Sequence, residues 1–391
     1  MKPSEKITQT SINFFLLPSY FLLRLLKLFF RIKFWRIRDN RIGHLAGNTD
    51  FLLREFQLDD CRERKYRHIF ISSKKPANYQ LLRMLKRNIR IIPVPQPKPV
   101  KAFIQKAAAN SILSKSKLFQ ELPDKGNFQR FIGTKSSLSF TTKEEQKGKE
   151  LLKRMEIKSW FVCFHSRDST YLNNKWDEGD ISHSYRNCDI HNFIKSIKYI
   201  NQQGGYGIRM GSEVSQPLKS KDYLIIDYAI NHHSDFGDIY LPSKCKFFIG
   251  NTSGLFCISL ISNVPVAFTN LLPLNTPFLS ERDIFIPKKI WSEKEKRYLT
   301  FNEMINSEVV NYVNSYDYIK AGLTPLENSA EEILGLVIEI NERLDGRWKE
   351  SKEDCILQER FKSLFSKDSS CYGLTARMGA NFLRENKHLL L

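Results

Sequence analysis

A chain of 391 residues that is 41% hydrophobic and 26% charged has room for two ordinary domains and excludes wholesale disorder. Its 61 lysines and arginines against 42 aspartates and glutamates give a net charge of +19, which attracts nucleic acid, anionic lipid or phosphorylated ligands without choosing among them. Seven cysteines lie singly at 61, 163, 188, 245, 257, 355 and 371 with no CxxC pair, a pattern that fits a reduced, intracellular chain.

Ser11 to Trp35 comes first, rich in Phe, Leu and Ile but interrupted by Arg24, Lys27 and Arg31 at helical spacing. Offsets of three and seven place those cations on one helix face, with Leu22, Leu25, Leu26, Phe29, Phe30 and Trp35 supplying apolar bulk. No charge-free apolar stretch is long enough to span a bilayer. Basic residues follow Phe14–Leu23 where the small-residue cleavage site of a secretory signal would lie. The expectation is an amphipathic helix on an anionic membrane surface, with Lys33, Arg36 and Arg38 extending its basic patch. The competing reading is a helix packed on the protein's own core.

Arg41–Ala46 opens a helical pattern through Phe51, Leu52 and Phe56. His68–Ile71 reads as a strand, Gln80–Arg87 as a short helix and Ile89–Ile92 as another strand, before the alternating prolines of 93–99 force an extended loop. The region 101–135 gives no clear pattern. Thr141–Met155 is the next helix.

Strands and helices then alternate, which predicts parallel strands in a doubly wound α/β domain. Trp160–His165 is a strand, and Asp189 caps a helix carrying Ile190, Phe193, Ile194, Ile197 and Ile200. Tyr206–Met210 and Leu224–Ile226 are strands. From Asp235 to Phe268 the order is helix, buried strand (Lys246–Gly250), small-residue turn (Asn251–Gly254), helix and strand. A turn of Thr, Ser and Gly between a strand end and a helix start offers free backbone N–H groups to an anion. Helices are expected at Ala330–Leu344, Asp354–Phe365 and Arg377–Leu391. The domains are thus expected at 1–40 (membrane-surface helix), 41–145, 146–345, and 346–391 (helices packing back toward the N-terminal domain).

Polar residues gather at the carboxyl ends of these strands, the edge where open α/β sheets bind ligands. His165, Ser166, Arg167 and Asp168 follow the first strand; Arg209 and Gly211 end the second; Asp227 follows the third. Ser234, Asp235 and Asp238 open a helix, and Asn251, Thr252, Ser253 and Gly254 follow the fourth strand. Two arginines, an anion-binding turn and several carboxylates suit a nucleoside diphosphate. Each residue also has a plainer reading: Arg167 can pair with Asp168, and Asp227 or Asp235 can cap a helix while Asp238 supports its first turn.

Taken as an ordered set, His165–Asp168, Ile208–Gly211, Asp227–Ala229 and Ser234–Tyr240 through Gly254, with Arg41–Ala46, Asn48-Thr49 and Gly379–Asn386, resemble a family of bacterial glycosyltransferases of surface-polysaccharide gene clusters. Residues 247–266 are more distantly similar to the donor-site element of heptosyltransferases and fucosyltransferases of the GT-B fold, and His165–Arg167 resembles the fucosyltransferase motif that binds the donor diphosphate. The resemblance implies two Rossmann-like domains facing a cleft. The second would bind a nucleotide-sugar donor and the first a saccharide or lipid-linked acceptor. With the scattered cysteines and the amphipathic N-terminus, the expectation is a cytoplasmic enzyme, peripheral on the inner face of the bacterial cytoplasmic membrane.

Glycosyl transfer must neutralise a departing diphosphate and deprotonate an acceptor hydroxyl. Asp177–Asp180 and Asp235–Asp238 have the wrong spacing for a DxD metal motif, so Arg167 and Arg209 with the 252–254 turn are expected to serve instead, with no metal or cofactor. His232-His233 beside Asp235 lacks proper ligand spacing. His44, after Gly43, takes the place of the carboxylate that heptosyltransferases carry there, and is the first candidate for general base, the alternative being a helix-start histidine that binds acceptor or backbone. Asp50 and Glu55 are reserves. A GT-B-like nucleotide-sugar epimerase and a basic nucleic-acid-binding protein are the alternatives; dispersed cations without an interleaved aromatic platform argue against nucleic acid.

Overall fold

The computed structural model describes residues 31–58, 62–94, 119–122, 128–170, 181–220, 222–276 and 280–390. The chain divides into two compact units, Met1–Asp124 and Lys125–Leu391.

The first unit holds strands β1 (Ile32–Arg36), β2 (Arg67–Ser72), β3 (Ile91–Pro93) and β4 (Phe119–Glu121) in the order β3-β2-β1-β4, all parallel. Helix α1 (Thr49–Glu55) continues a π-type turn at His44–Asn48, and α2 (Tyr79–Leu85) starts where the Asn78 side chain accepts from the Leu81 N–H. β1 corrects the expectation that a helix runs on to Trp35. Ile32–Arg36 pairs with β2 in the register Ile32↔Arg67, and alternation buries Lys33 and Trp35. Lys33 therefore does not extend an exposed basic patch: its ammonium lies 4.0 Å from the Tyr66 ring centroid. Trp35 Nε1–H donates to His68 Nδ1 at 2.7 Å. Most of the expected membrane helix, residues 1–30, lies outside the described residues.

The second unit begins with α3 (Thr142–Arg154), started by a reciprocal capping box between Thr141 and Glu144. There follow β5 (Phe161–His165), α4 (Ile194–Gln202), β6 (Tyr206–Arg209), β7 (Ile225–Asp227), α5 (Tyr228–Asn231), α6 (Gly237–Lys244), β8 (Phe248–Gly250), α7 (Phe256–Ile261), β9 (Val266–Leu271) and β10 (Ile284–Pro287). β11 (Lys289–Ser292), β12 (Arg297–Tyr298), α8 (Phe301–Asn306), α9 (Ser315–Lys320), β13 (Leu323–Leu326), α10 (Ala330–Leu344), α11 (Lys352–Ser363), β14 (Arg377–Met378) and α12 (Ala380–Glu385) complete it. Its main sheet runs β14-β10-β9-β8-β5-β6-β7 with every pair parallel, while β12-β11-β13 form a small antiparallel sheet.

The α/β class with parallel sheets is therefore as expected. The core is the strands themselves: Val162, Cys163, Phe164, Phe248, Ile249, Val266, Ala267 and Phe268 are fully buried, as parallel strands covered on both faces require. The end of the chain needs correction. Arg377–Met378 is an edge strand on β10, not the start of a helix, and only Ala380–Glu385 is α-helical. Glu339 on α10 locks that helix by accepting from the Ala380 N–H at 2.6 Å. Among the described residues no helix is long and apolar enough to cross a membrane.

Candidate functional site

β5 enters the middle of the seven-stranded sheet. The chain then moves outward through β6 and β7, and returns to the other side of β5 with β8. The connections leaving β5 and β8 thus head to opposite sides, which opens a crevice at their carboxyl ends. The sequence-predicted residues of the second unit lie along this edge, and hydrogen bonds assign most of them a task.

Asn251 is completely buried and clamps the crevice. Its Oδ1 accepts from the Arg167 backbone N–H at 3.1 Å, and its amide donates to the Arg186 carbonyl. The preceding Gly250 has no room for a side chain, since a Cβ there would lie 2.8 Å from the His165 carbonyl oxygen. His165 Nδ1 is 2.9 Å from the Met210 carbonyl, which can only accept, so the proton sits on Nδ1. Burial lowers its pKa below the ordinary histidine value, against the pull of that bond and of Asp168. A neutral imidazole at the end of β5 is the result.

The Arg167 guanidinium donates to the His183 carbonyl at 2.9 Å and to Asn187 Oδ1, so a turn remote in sequence aims it. Asp168 does not pair with Arg167. Its two oxygens accept from the backbone N–H groups of Thr170 (2.9 Å) and Ser215 (3.0 Å), fastening the loop after β5 to the loop after β6. Gly211 lets that second loop close in, because a Cβ there would lie 2.8 Å from Val214 Cγ1.

Arg209 and Asp227 form a buried ion pair at 3.1 Å, with 4% and 10% of their side chains exposed. Arg209 also donates to the Gln216 carbonyl, and Asp227 Oδ2 accepts from the Leu218 N–H at 2.7 Å. This pair holds the 211–218 loop, so the charge of Arg209 is already matched inside the fold. Asp227 Oδ1 is buried without a hydrogen-bond partner.

Ser234, Asp235 and Asp238 belong to a second network, after β7. The Tyr228 hydroxyl lies 2.9 Å from the Ser234 carbonyl and 3.1 Å from Asp238 Oδ1, and Ser234 Oγ accepts from the Gly237 N–H. Asp238 Oδ2 meets His233 Nε2 at 3.0 Å. That bond raises the His233 pKa, with Asp235 and Glu213 adding to the pull, while burial raises that of Asp238. His232 responds oppositely: burial, then Arg154, lowers its pKa. Among the described residues no group of three or more His, Cys, Asp or Glu is placed to hold a metal.

The small-residue turn is more occupied than its sequence implies. Thr252 Oγ1 donates to the Leu272 carbonyl at 3.2 Å, and Gly254 leads into α7, a helix of only six residues. Ser253 Oγ is different: it is buried and has no hydrogen-bond partner among the described residues. His44 lies in the first unit, after β1, with Nδ1 3.0 Å from Asn48 Oδ1. Its reserve Asp50 is buried in an ion pair with Arg54.

Sequence reasoning missed Asn187 and Lys288. Lys288, after β10, is buried, and its ammonium donates to the Asn187 carbonyl at 2.6 Å. Burial lowers its pKa, against Cys188 and Glu327. Asn187 thereby links Lys288 to Arg167. The only available signal was a lysine directly behind the run Ile284–Pro287.

An open parallel sheet whose connections diverge between β5 and β8 defines an α/β protein with a topological switch point, the place where such sheets bind ligands. No family model matches the sequence, and no curated protein matches it. Solved structures that it resembles include Escherichia coli ADP-heptose LPS heptosyltransferase II, at 12% identity and a TM-score of 0.42 over 65% of this chain and 90% of that one. Others are a glycosyl transferase of family 9 from Veillonella parvula (10%, 0.39, 60% and 79%) and the E. coli heptosyltransferase WaaC with ADP (9%, 0.36, 66% and 91%). At these TM-scores the likenesses carry no argument about activity.

Proposed function

We propose that the chain is a glycosyltransferase of bacterial surface-polysaccharide synthesis, working at the inner face of the cytoplasmic membrane. Its second unit would bind a nucleotide-sugar donor at the β5/β8 crevice, and its first unit a saccharide or lipid-linked acceptor. The observation that supports this reading is that Arg167, aimed by Asn187, follows β5, while Ser253, whose buried hydroxyl has no hydrogen-bond partner among the described residues, follows the adjacent strand β8. Native interiors seldom leave such a hydroxyl unsatisfied, and a phosphate oxygen would accept its proton. The ordered sequence motifs that resemble the glycosyltransferase family narrow the ligand to a nucleotide sugar.

In the reaction, the acceptor hydroxyl oxygen bonds to the anomeric carbon, and the bond from that carbon to the phosphate oxygen breaks. The bonding pair leaves with the diphosphate, and the hydroxyl proton passes to His44. Arg167 faces the departing charge without a metal, whereas Arg209 and Asp227 hold the loop that frames it. His165, Asp168, Gly211 and Asn251 shape the crevice around the donor.

The test is a thermal-shift panel of nucleoside diphosphates and nucleotide sugars, with magnesium or with chelator. Stabilisation by a diphosphate in chelator, lost in Arg167→Ala, is expected. No shift with any nucleotide would refute the donor site, and strict dependence on magnesium would refute the metal-independent mechanism. Sugar transferred to an acceptor separates this enzyme from an epimerase.

A further inference from the structure

The charge of the chain is divided unequally. Residues 1–124 contain 25 lysines and arginines against 9 acids, a net +16, whereas residues 125–391 contain 36 against 33, a net +3. In the described part of the first unit, seven exposed cations lie along one edge of its sheet. Arg31 precedes β1, Arg64 and Lys65 lie in the turn before β2, and Arg67 begins β2. Lys86, Arg87 and Arg90 lie between α2 and β3. Register places these starts side by side: Arg67 pairs with Ile32, its N–H donates to the Arg31 carbonyl, and the Phe70 N–H donates to the Arg90 carbonyl. All seven cations are exposed. Asp59, Asp60 and Glu63 precede Arg64 in sequence, so even with all three counted the cations outnumber the acids seven to three. His44 follows β1 and lies beyond the opposite ends of the same strands.

We infer that this strand-start edge of the first unit is a docking face for an anionic lipid bilayer. A row of exposed cations across adjacent strands matches a planar field of phosphates, where each cation near the surface strengthens binding about fivefold. Chain continuity chooses the bilayer over another polyanion: the apolar, cationic sequence 1–30 joins this edge at Arg31, so both would contact one surface. This rests on the membrane reading of that segment only for the choice of bilayer. It adds where the folded unit touches and which end of its sheet faces the lipid.

The test uses the full chain in co-sedimentation with phosphatidylcholine vesicles, with or without phosphatidylglycerol. Replacing four edge cations (Arg67→Gln, Lys86→Gln, Arg87→Gln, Arg90→Gln) should lower partitioning onto anionic vesicles by at least about tenfold, allowing for screening. Four exposed controls elsewhere (Lys74→Gln, Lys75→Gln, Lys349→Gln, Lys367→Gln) should change it less than about threefold, the remaining effect being net charge alone. Wild-type hydrogen exchange should show vesicle protection at 64–67 and 86–91 but not at 73–78, a readout independent of variant folding. Equal losses in edge and control variants, or no loss in the edge variant, would overturn the inference. So would binding to duplex nucleic acid with no preference for anionic over neutral vesicles, or protection confined to 1–30. The diphosphate thermal shift should be unchanged in the edge variant, so failure of the donor-site reading would show separately.

Discussion

Replacing Arg209 distinguishes a diphosphate ligand from an internal strut. In Arg209→Ala, Asp227 keeps the Leu218 N–H but loses the guanidinium at 3.1 Å, with its other oxygen without a partner among the described residues and its side chain only 10% exposed. Removing one member of such a buried pair costs about 3–5 kcal/mol. For a unit of this size that lowers the melting temperature by about 6–20 °C, at roughly 2–4 °C per kcal/mol. Arg209→Met with Asp227→Leu removes the stranded charge and should recover about half of the loss, the rest being the unpaired Gln216 carbonyl and Leu218 N–H. Melting curves of the single and double variants, with urea titrations for the free energies, make the measurement. If Arg209→Ala melts within about 2 °C of wild type and yet loses the nucleotide shift, Arg209 is a ligand-binding cation and the strut argument fails.

Three further outcomes are expected. Gly148→Ala in α3 would ordinarily stabilise a helix by about 1 kcal/mol, but its Cβ would lie 1.9 Å from the Tyr240 ring, so urea unfolding should report a loss of about 1–3 kcal/mol that Tyr240→Leu partly restores. Ser253→Ala removes a buried, unsatisfied hydroxyl; the free protein should melt at the wild-type temperature or above it, while diphosphate affinity falls several-fold, and unchanged affinity would remove Ser253 from the donor site. His233 bonded to Asp238 should titrate above the ordinary histidine value in NMR, and Asp238→Asn should abolish the rise. Because the folded value is raised, this contribution to stability is full below about pH 6.5 and is lost as pH climbs through the folded value. The stability difference from His233→Gln should shrink accordingly.

Much of the second unit was legible because local and global signals agree there. Ala330–Leu344 carries a helical apolar stripe behind a Ser329–Glu332 capping box, and the helix has those bounds. β5, β6 and β8 were readable as apolar runs bounded by turn residues. β1 was hidden because five residues inside an apolar stretch suit either period, and pairing with β2 decides between them. β10 to β13 and β14 are too short for a periodic signal; their identity comes from neighbours distant in sequence. The site divides in the same way. Topology placed the polar residues at the strand ends, but whether a side chain faces a ligand or the backbone is a tertiary fact. Asn251 and Asp168 are spent on loops, Arg209 on Asp227, and only Ser253 and Asp227 Oδ1 are left with orphaned polar atoms among these positions.

The last strand of the large sheet has a consequence for biosynthesis. β10 gains its outer neighbour only from Arg377–Met378, so residues 288–376 must be made before that edge is covered. At ribosomal speeds of roughly 5–20 residues per second this takes on the order of 5–20 s, during which a hydrophobic strand edge stands open on a nascent chain. The first unit has a similar wait, because the outer edge of β1 is paired only when Phe119–Glu121 is made. A nonsense codon shortly before Arg377 would therefore produce an aggregation-prone polypeptide even with every crevice residue present.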